Sequence, residues 1–570
     1  MVVKMEVKLS GRSAANETKN APKTMIDSLG SELAAVTKCP TITDIIGQYG
    51  FYQLSLTLFA FIRYVCVAMM TNTGPLIAPS IDYSCQVPTS IAGLVLNPQN
   101  STLDRLVRGK CEIMLINGSS YECSSWSYNT SLSGITLTDS FDLVCGRDWL
   151  RSAFQSIVSV GVVVASVVWG SISDRYGRST AMRASFVCSL VAGSLSYSTT
   201  SYAVFAASRS LCSFADLGLV VSTTTIIVES LGSKYRGAVC IIVYTGWAFG
   251  VMIMPWLTEI FKDYRQLMLF TVAAHLFTLP WLLTIRESAR WLLVNEKIDE
   301  AGEELRRINK WNCKSDKIST EIAESRFKQL KTKYEKVAEK KRIAREEEGG
   351  SCYGVGQLFK SRELIVTTAT LIWTTFTCEL LYMLFIMINS DIGESVKLNY
   401  AIGGAMETLA TIISIVMISR MTRKFSLVLT LISISTLCFL LAITHEMPSI
   451  SVWILNLSKL SISTLSSLVY VVTTEIFPTN LRQTGFGLSG TIGSLGAVVA
   501  PFVRKELVDL IGMTRVMLML VALTLTAAIC IPFYLRETKG LELTDDVDEL
   551  ELNNLRPEFT KSAVQSDNLV

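Results

Sequence analysis

Read for its hydrophobic pattern, the chain falls into long, predominantly apolar stretches separated by polar segments. Crossing about 30 Å of hydrocarbon takes about 20 apolar residues at 1.5 Å per residue, and twelve stretches approach that length. The first six are Phe51–Thr73, Leu150–Ile172, Ala184–Ser198, Tyr202–Val228, Ala238–Leu257 and Leu267–Ile285. The second six are Leu364–Met387, Ala401–Met417, Phe425–Thr444, Ile450–Val472, Gly485–Val503 and Met513–Leu535. Only helices and closed barrels satisfy their backbone in lipid, and these stretches lack the alternation of barrel strands. The pattern predicts an all-α membrane protein with twelve transmembrane helices.

Composition agrees: the 570 residues are 50% hydrophobic and only 18% charged. The expected organisation is an N-terminal segment 1–49, a six-helix bundle 50–286 carrying a large loop 74–149, a linker 287–362, a second six-helix bundle 363–535 and a tail 536–570. The linker is dense in Lys, Arg and Glu, which reads as a solvated helical connection. A net charge of +3 is too small to suggest a nucleic-acid partner. Short loops after even-numbered spans hold Arg175, Arg178, Lys234, Arg236, Arg420, Arg423, Lys424 and Arg482, and the loops on the other side are poorer in Lys and Arg. The positive-inside rule then places both termini in the cytoplasm. The first fifty residues are polar and offer no cleavable signal peptide.

That topology puts loop 74–149 outside. It carries three N-x-S/T sequons, at Asn100, Asn117 and Asn129, and four of the fourteen cysteines, Cys85, Cys111, Cys123 and Cys145. Four cysteines in an oxidising loop suggest two disulfides in any of three connectivities. The plasma membrane is the simplest address for such a chain.

Landmarks recur across the linker. Arg178 after span two and Arg423 after span eight stand 245 residues apart; Glu229/Arg236 and Glu475/Arg482 are offset by 246, and Glu287 and Glu537 by 250. Three matches in order at nearly one offset mean that two six-helix halves form a parallel repeat, an architecture of transporters with a midplane substrate site.

The same residues carry a resemblance. GSISDRYGR fits the major facilitator signature through Gly170, Asp174, Arg175, Gly177 and Arg178. FDLVC at Phe141, ESLGSKYRG, DYR at Asp263, RESARWLL, EIFPTNLRQTGFG and ETKG follow in order. From about Gly50 to Thr544 the chain resembles the organic cation/anion transporter family, with departures at Arg286, Ala289 and Arg536 and a second signature copy reduced to SRMTRK. The resemblance implies alternating access between two bundles. It assigns Asp174, Arg175, Arg178, Glu229, Arg236, Glu287, Arg423, Glu475, Arg482 and Glu537 to a cytoplasmic gate of ion pairs, with Gly170 and Gly177 allowing close helix approach.

Ionisable residues inside spans are costly and mark pathways or internal pairs. Six occur here: Arg63, Arg209, Asp216, Glu379, Glu407 and Lys459. In the resembled fold, spans one, four, seven and ten line the cavity. Arg209, Glu407 and Lys459 match positions usually charged in the family, whereas Arg63, Asp216 and Glu379 are unusual there. Arg63 and Asp216 lie at similar depth and are expected to pair across the cavity. Ser494 stands where cation carriers tend to have Asp and anion carriers Arg, and so leaves charge preference open. Tyr382 and Tyr470 are candidates for stacking on an organic cation, as are Trp247 and Trp373, although packing explains any single aromatic as well.

Two histidines, His275 and His445, are too few for a histidine metal cluster, and no phosphate loop or nucleophile elbow appears. No cofactor and no enzyme activity are expected. The reading is a polyspecific carrier of small organic ions, leaning to cations or zwitterions; an organic anion transporter and a transport-silent sensor are the alternatives. Oligomeric state is left open.

Overall fold

The computed structural model describes residues 42–79, 81–86, 111–114, 120–128, 134–312, 323–332, 334–335, 361–391, 396–477 and 482–539. Twelve principal helices follow the expected spans. They are α1 (Phe51–Thr71), α2 (Asp148–Tyr176), α3 (Arg178–Ser198), α4 (Tyr202–Ser230), α5 (Ser233–Ile260) and α6 (Tyr264–Leu276, resuming at Leu279–Thr284). The second set is α7 (Arg362–Asp391), α8 (Val396–Arg420), α9 (Arg423–Thr444), α10 (Pro448–Ile476), α11 (Arg482–Gly493, resuming at Leu495–Phe502) and α12 (Met513–Tyr534).

Among the described residues, eleven helices are long and apolar enough to cross a membrane. The exception is α3, whose serines lower its hydropathy. Those hydroxyls cost little, because Ser185 donates to Ala181 O at 2.8 Å and Ser196 to Gly193 O at 2.7 Å. Its outer face is an exposed apolar stripe, Val187, Val191 and Leu195. Val160, Val164 and Val167 form the same kind of stripe on α2. Such faces suit lipid, since water would penalise them.

Two irregularities in the helices lie at prolines. Pro280 lacks an N–H and starts the second segment of α6. In α11, Pro501 precedes a π-helical stretch, Val503–Leu507, where the ladder re-registers by one residue. Helices α2, α3, α4 and α6 pack together in the first half, and α7 to α10 with α12 in the second. The halves meet along α2–α11 and α5–α8. At the second seam, a Cβ on Gly404 would lie 2.8 Å from the Met252 backbone nitrogen, so only glycine permits that approach.

Two units can be separated by compactness: Gln53–Ser288 with Ser351–Val570, which holds the bundles, and Met1–Tyr52 with Ala289–Gly350. In the smaller unit, Asn312 bonds Ile46 O at 2.7 Å through Nδ2 and accepts from Tyr52 N at 2.9 Å, while Trp311 packs edge-on against Tyr52.

The loop between α1 and α2 carries two antiparallel pairs, β1 (Tyr83–Cys85) with β4 (Trp126–Tyr128) and β2 (Glu112–Met114) with β3 (Ser120–Glu122). Of the three possible disulfide connectivities the structure has Cys85–Cys123 and Cys111–Cys145. The sequons Asn100, Asn117 and Asn129 lie outside the described residues. We call this end of the bundles the loop face and the opposite end, with Arg178 and Arg423, the basic face.

Candidate functional site

Three polar clusters are built into the bundles. The first lies on the basic face, at the turn from α2 to α3. Gly177 has φ +103°, a conformation that favours glycine, and a Cβ there would meet the Glu287 carboxylate. That turn aims Arg178 inward. Its Nη1 donates to Asp174 at 2.7 Å and to Ser173 O at 2.8 Å, and its Nη2 lies 3.3 Å from Glu229 Oε1. Glu287 accepts from the first amides of α3, Arg178 N at 2.7 Å and Ser179 N at 3.1 Å, as an acid suits a helix N-terminus.

The second half repeats the arrangement of an inward arginine, a helix-borne acid and an acid on the helix N-terminus. Arg423 bonds Ile418 O at 2.6 Å and Glu475 at 3.0 Å through both Nε and Nη2. Glu537 accepts from Arg423 N at 2.8 Å and Lys424 N at 3.2 Å. SRMTRK has lost the counterpart of Asp174, which is Ser419, and carries Thr422, with φ −75°, where the first copy has Gly177. Burial pushes the Glu537 carboxyl up, but the amides of Arg423, Lys424 and Lys539 outweigh it and hold the group below its ordinary range.

Some gate expectations change. Gly170 faces open space, with no atom near where a Cβ would stand, so it is not a close-approach position. Arg175 is exposed and lies over the Tyr176 ring at 5.5 Å. Arg236 donates to Leu231 O at 3.3 Å. Arg482 opens α11, and its side chain lies outside the described residues.

The second cluster joins the halves. Trp247 on α5 donates to the Tyr382 hydroxyl on α7 at 3.0 Å, and Tyr382 donates to Glu407 Oε1 on α8 at 2.9 Å. Lys459 on α10 lies 3.1 Å from the same oxygen, with its ammonium 5.8 and 5.6 Å from the Tyr382 and Tyr400 ring centroids. Tyr400 donates across the interface to Asn72 O at 2.6 Å. Nearby on α7, Glu379 is half-buried and makes no hydrogen bond or ion pair among the described residues. Tyr244 on α5 contacts Ser466 on α10 at 3.4 Å. Tyr470 packs edge-on against Phe486 at 5.3 Å. Ser494 marks the break in α11, where Gly493 and Gly496 let that helix press onto α7. Trp373 is redirected: it bonds Thr526 on α12 at 3.2 Å and stacks on Phe376, away from the interface.

The third cluster corrects an expectation. Arg63 and Asp216 form no ion pair and do not face the second half. Asp216 accepts from Ser189 on α3 at 2.7 Å and lies 3.3 Å from His275 Nε2 on α6. Arg63 rests over Phe186 of α3 at 5.2 Å and its own Phe59 at 5.7 Å. Both therefore point into the core of the first half. The cause is angular: depth in the membrane was legible, but the face of α1 on which Arg63 projects was not. His275 went unassigned in the sequence, and its only signal was a ring within an otherwise apolar span. Arg209 is likewise internal, bonding Met70 O and, at 3.1 Å, Thr73 Oγ1, so that it caps the end of α1.

Two six-helix bundles related by repeat, with charged clusters at one face and at their seam, define a transporter of the major facilitator fold. The solved structure of the proton:xylose symporter XylE bound to 6-bromo-6-deoxy-D-glucose is similar over 88% of this chain and 99% of its own, with TM-score 0.61 and 15% identity. The chain belongs to the sugar (and other) transporter family, whose model matches residues 113–548. Curated relatives include solute carrier family 22 member 7 of Bos taurus, 28% identical over 75% of each chain. Solute carrier family 22 member 3 of Rattus norvegicus is 25% identical over 75% of this chain and 74% of its own. Organic anion transporter 3 of Mus musculus is 26% identical over 81% and 86%.

Proposed function

We propose that the chain is a polyspecific organic ion transporter of the plasma membrane, with both termini cytoplasmic, that moves small organic cations or zwitterions by alternating access. The basic face is then cytoplasmic, by the positive-inside rule, and the disulfide-bonded loop is extracellular.

The charge preference rests on Glu379. At the seam, Glu407 is neutralised by Lys459, whereas Glu379 has no basic partner among the described residues and keeps partial access to water. An uncompensated acid suits an organic cation, which gains charge attraction there. An organic anion would have to displace Glu407 from a lysine that is 3% exposed.

Ion pairs joining the halves among the described residues lie at the loop face: Lys505–Asp148 at 2.6 Å and Lys397–Glu259. With Asn72–Tyr400 and Gly404–Met252 they favour a state closed to the outside. Such partly hydrated pairs are worth little net and can break during a cycle.

The test is uptake of labelled tetraethylammonium and labelled p-aminohippurate, side by side, by cells expressing wild type or Glu379→Gln at matched surface levels. Saturable ammonium uptake is expected, with KM raised about 10–100-fold in the variant, the worth of a lost charge-assisted contact. Uptake of the carboxylate alone would move the assignment to an anion carrier. If neither compound moves, the sensor reading replaces transport.

A further inference from the structure

The first-half core cluster contains a hydrogen-bond conflict that only an extra proton resolves. His275 is 1% exposed, with Nδ1 3.0 Å from Thr271 O and Nε2 3.3 Å from Asp216 Oδ1. A carbonyl and an ionised carboxylate both only accept, and a neutral imidazole has one N–H. Both contacts are hydrogen bonds only if the pair holds one proton more than neutral histidine plus carboxylate. We propose that the first half binds one proton between His275 and Asp216, and that Arg63 takes Asp216 when that proton leaves.

Asp216 Oδ2 has no partner, and neither does any of the three Arg63 nitrogens, although Arg63 is fully buried. A buried guanidinium without acceptors is poorly stabilised, and the aromatic rings beneath it compensate only in part. The other ionisable groups around the cluster do not compete. Cys66, Cys188 and Cys212 behave as small apolar packing residues, and Arg209 is held by the end of α1. His275 and Arg63 are thus the two groups that exchange at Asp216.

On release, the Nε2–H bond breaks, its electron pair stays on nitrogen and the proton passes to water. His275 keeps Nδ1–H on Thr271 O. The carboxylate, short of a donor, draws Arg63 from Phe186. Arg63 moves with α1, and the next residue, Tyr64, bonds Thr224 at 3.0 Å and packs on Tyr244 beside the seam. One helix therefore links proton occupancy to the transport site, with the proton as a coupling ion.

The test measures the melting temperature of purified full-length protein in detergent between pH 5.5 and 8.5, for wild type, His275→Gln, Asp216→Asn and His445→Gln. Wild type and His445→Gln are expected to share a pH-dependent change that His275→Gln and Asp216→Asn both lose. Superimposable curves for wild type and His275→Gln overturn the proposal. If neither cluster variant accumulates, nitrogen-15 spectra of histidine-labelled wild type decide it: a ring shielded from a soluble paramagnetic quencher must move with pH, and no such ring overturns it. None of these readouts needs a transported substrate, so failure of ammonium uptake and failure of the proton site are separate results.

Discussion

Two base–acid sets sit in this membrane domain at equal burial and in opposite condition. Lys459 and Glu407 are 3% and 4% exposed and form a closed pair, with Tyr382 as a further donor. Arg63 and Asp216 are 0% and 1% exposed and stay apart, with four polar atoms unpartnered between them. Similar charge types at similar burial have separated into a finished pair and an unfinished one. Burial alone therefore says little about what a charge contributes; the helix face on which it projects decides whether a partner is in reach.

The comparison breaks or holds on stability. Lys459→Met strands Glu407 with Tyr382 as its remaining donor, and removing one member of a buried pair costs about 3–5 kcal/mol. A large fall in melting temperature is expected, most of it recovered by adding Glu407→Gln. Arg63→Met removes a cation that nothing satisfies and leaves Asp216 its bonds from Ser189 and His275. Its melting temperature should stay level or rise. Equal losses in the two single variants would mean that Arg63 is as fully paired as Lys459.

Much of the architecture was readable from the chain, because lipid enforces length and apolarity on every span. Even so, α3 escapes a pure hydropathy criterion, since its serines hide in the bundle core. The 245-residue offset between Arg178 and Arg423 was legible because gate charges sit in short loops, where few alternatives compete. What stayed hidden was rotation. Nothing in the local pattern told that Arg63 faces Phe186 while its neighbour Tyr64 faces the seam, or that Trp373 turns to α12. Those angles are set by how helices pack, and one residue of rotation, about 100°, carries a side chain from the seam to the core.

The two basic-face copies offer a smaller test. Glu475 uses both oxygens: Oε1 accepts from Arg423 Nη2, and Oε2 from Arg423 Nε and from Thr538 at 2.7 Å. A glutamine there sets an amide NH2 against an arginine donor, and Glu475→Gln should cost about 1.5–3 kcal/mol. Glu229 serves Arg178 through Oε1 alone, its Oε2 is unpartnered, and Arg178 keeps Asp174. Glu229→Gln should therefore cost well under half as much, read as the difference in melting temperature. Loss of the Asp174 counterpart has concentrated the work of the second copy in one carboxylate.

Glu537 gives the smallest expected effect, and its sign is fixed by the direction of its shift. The carboxylate is held below its ordinary range by three backbone amides that outweigh burial. A depressed folded-state value means that ionised Glu537 stabilises the fold above the unfolded value, about 4.3, and that this contribution fades as pH falls through the lower folded value. The melting-temperature gap between wild type and Glu537→Gln should be constant from pH 7 to 5 and close only in more acid solution. A gap that closes near neutrality would mean that the amides of Arg423 and Lys424 are not the groups that hold it, and the parallel between Glu287 and Glu537 would fail.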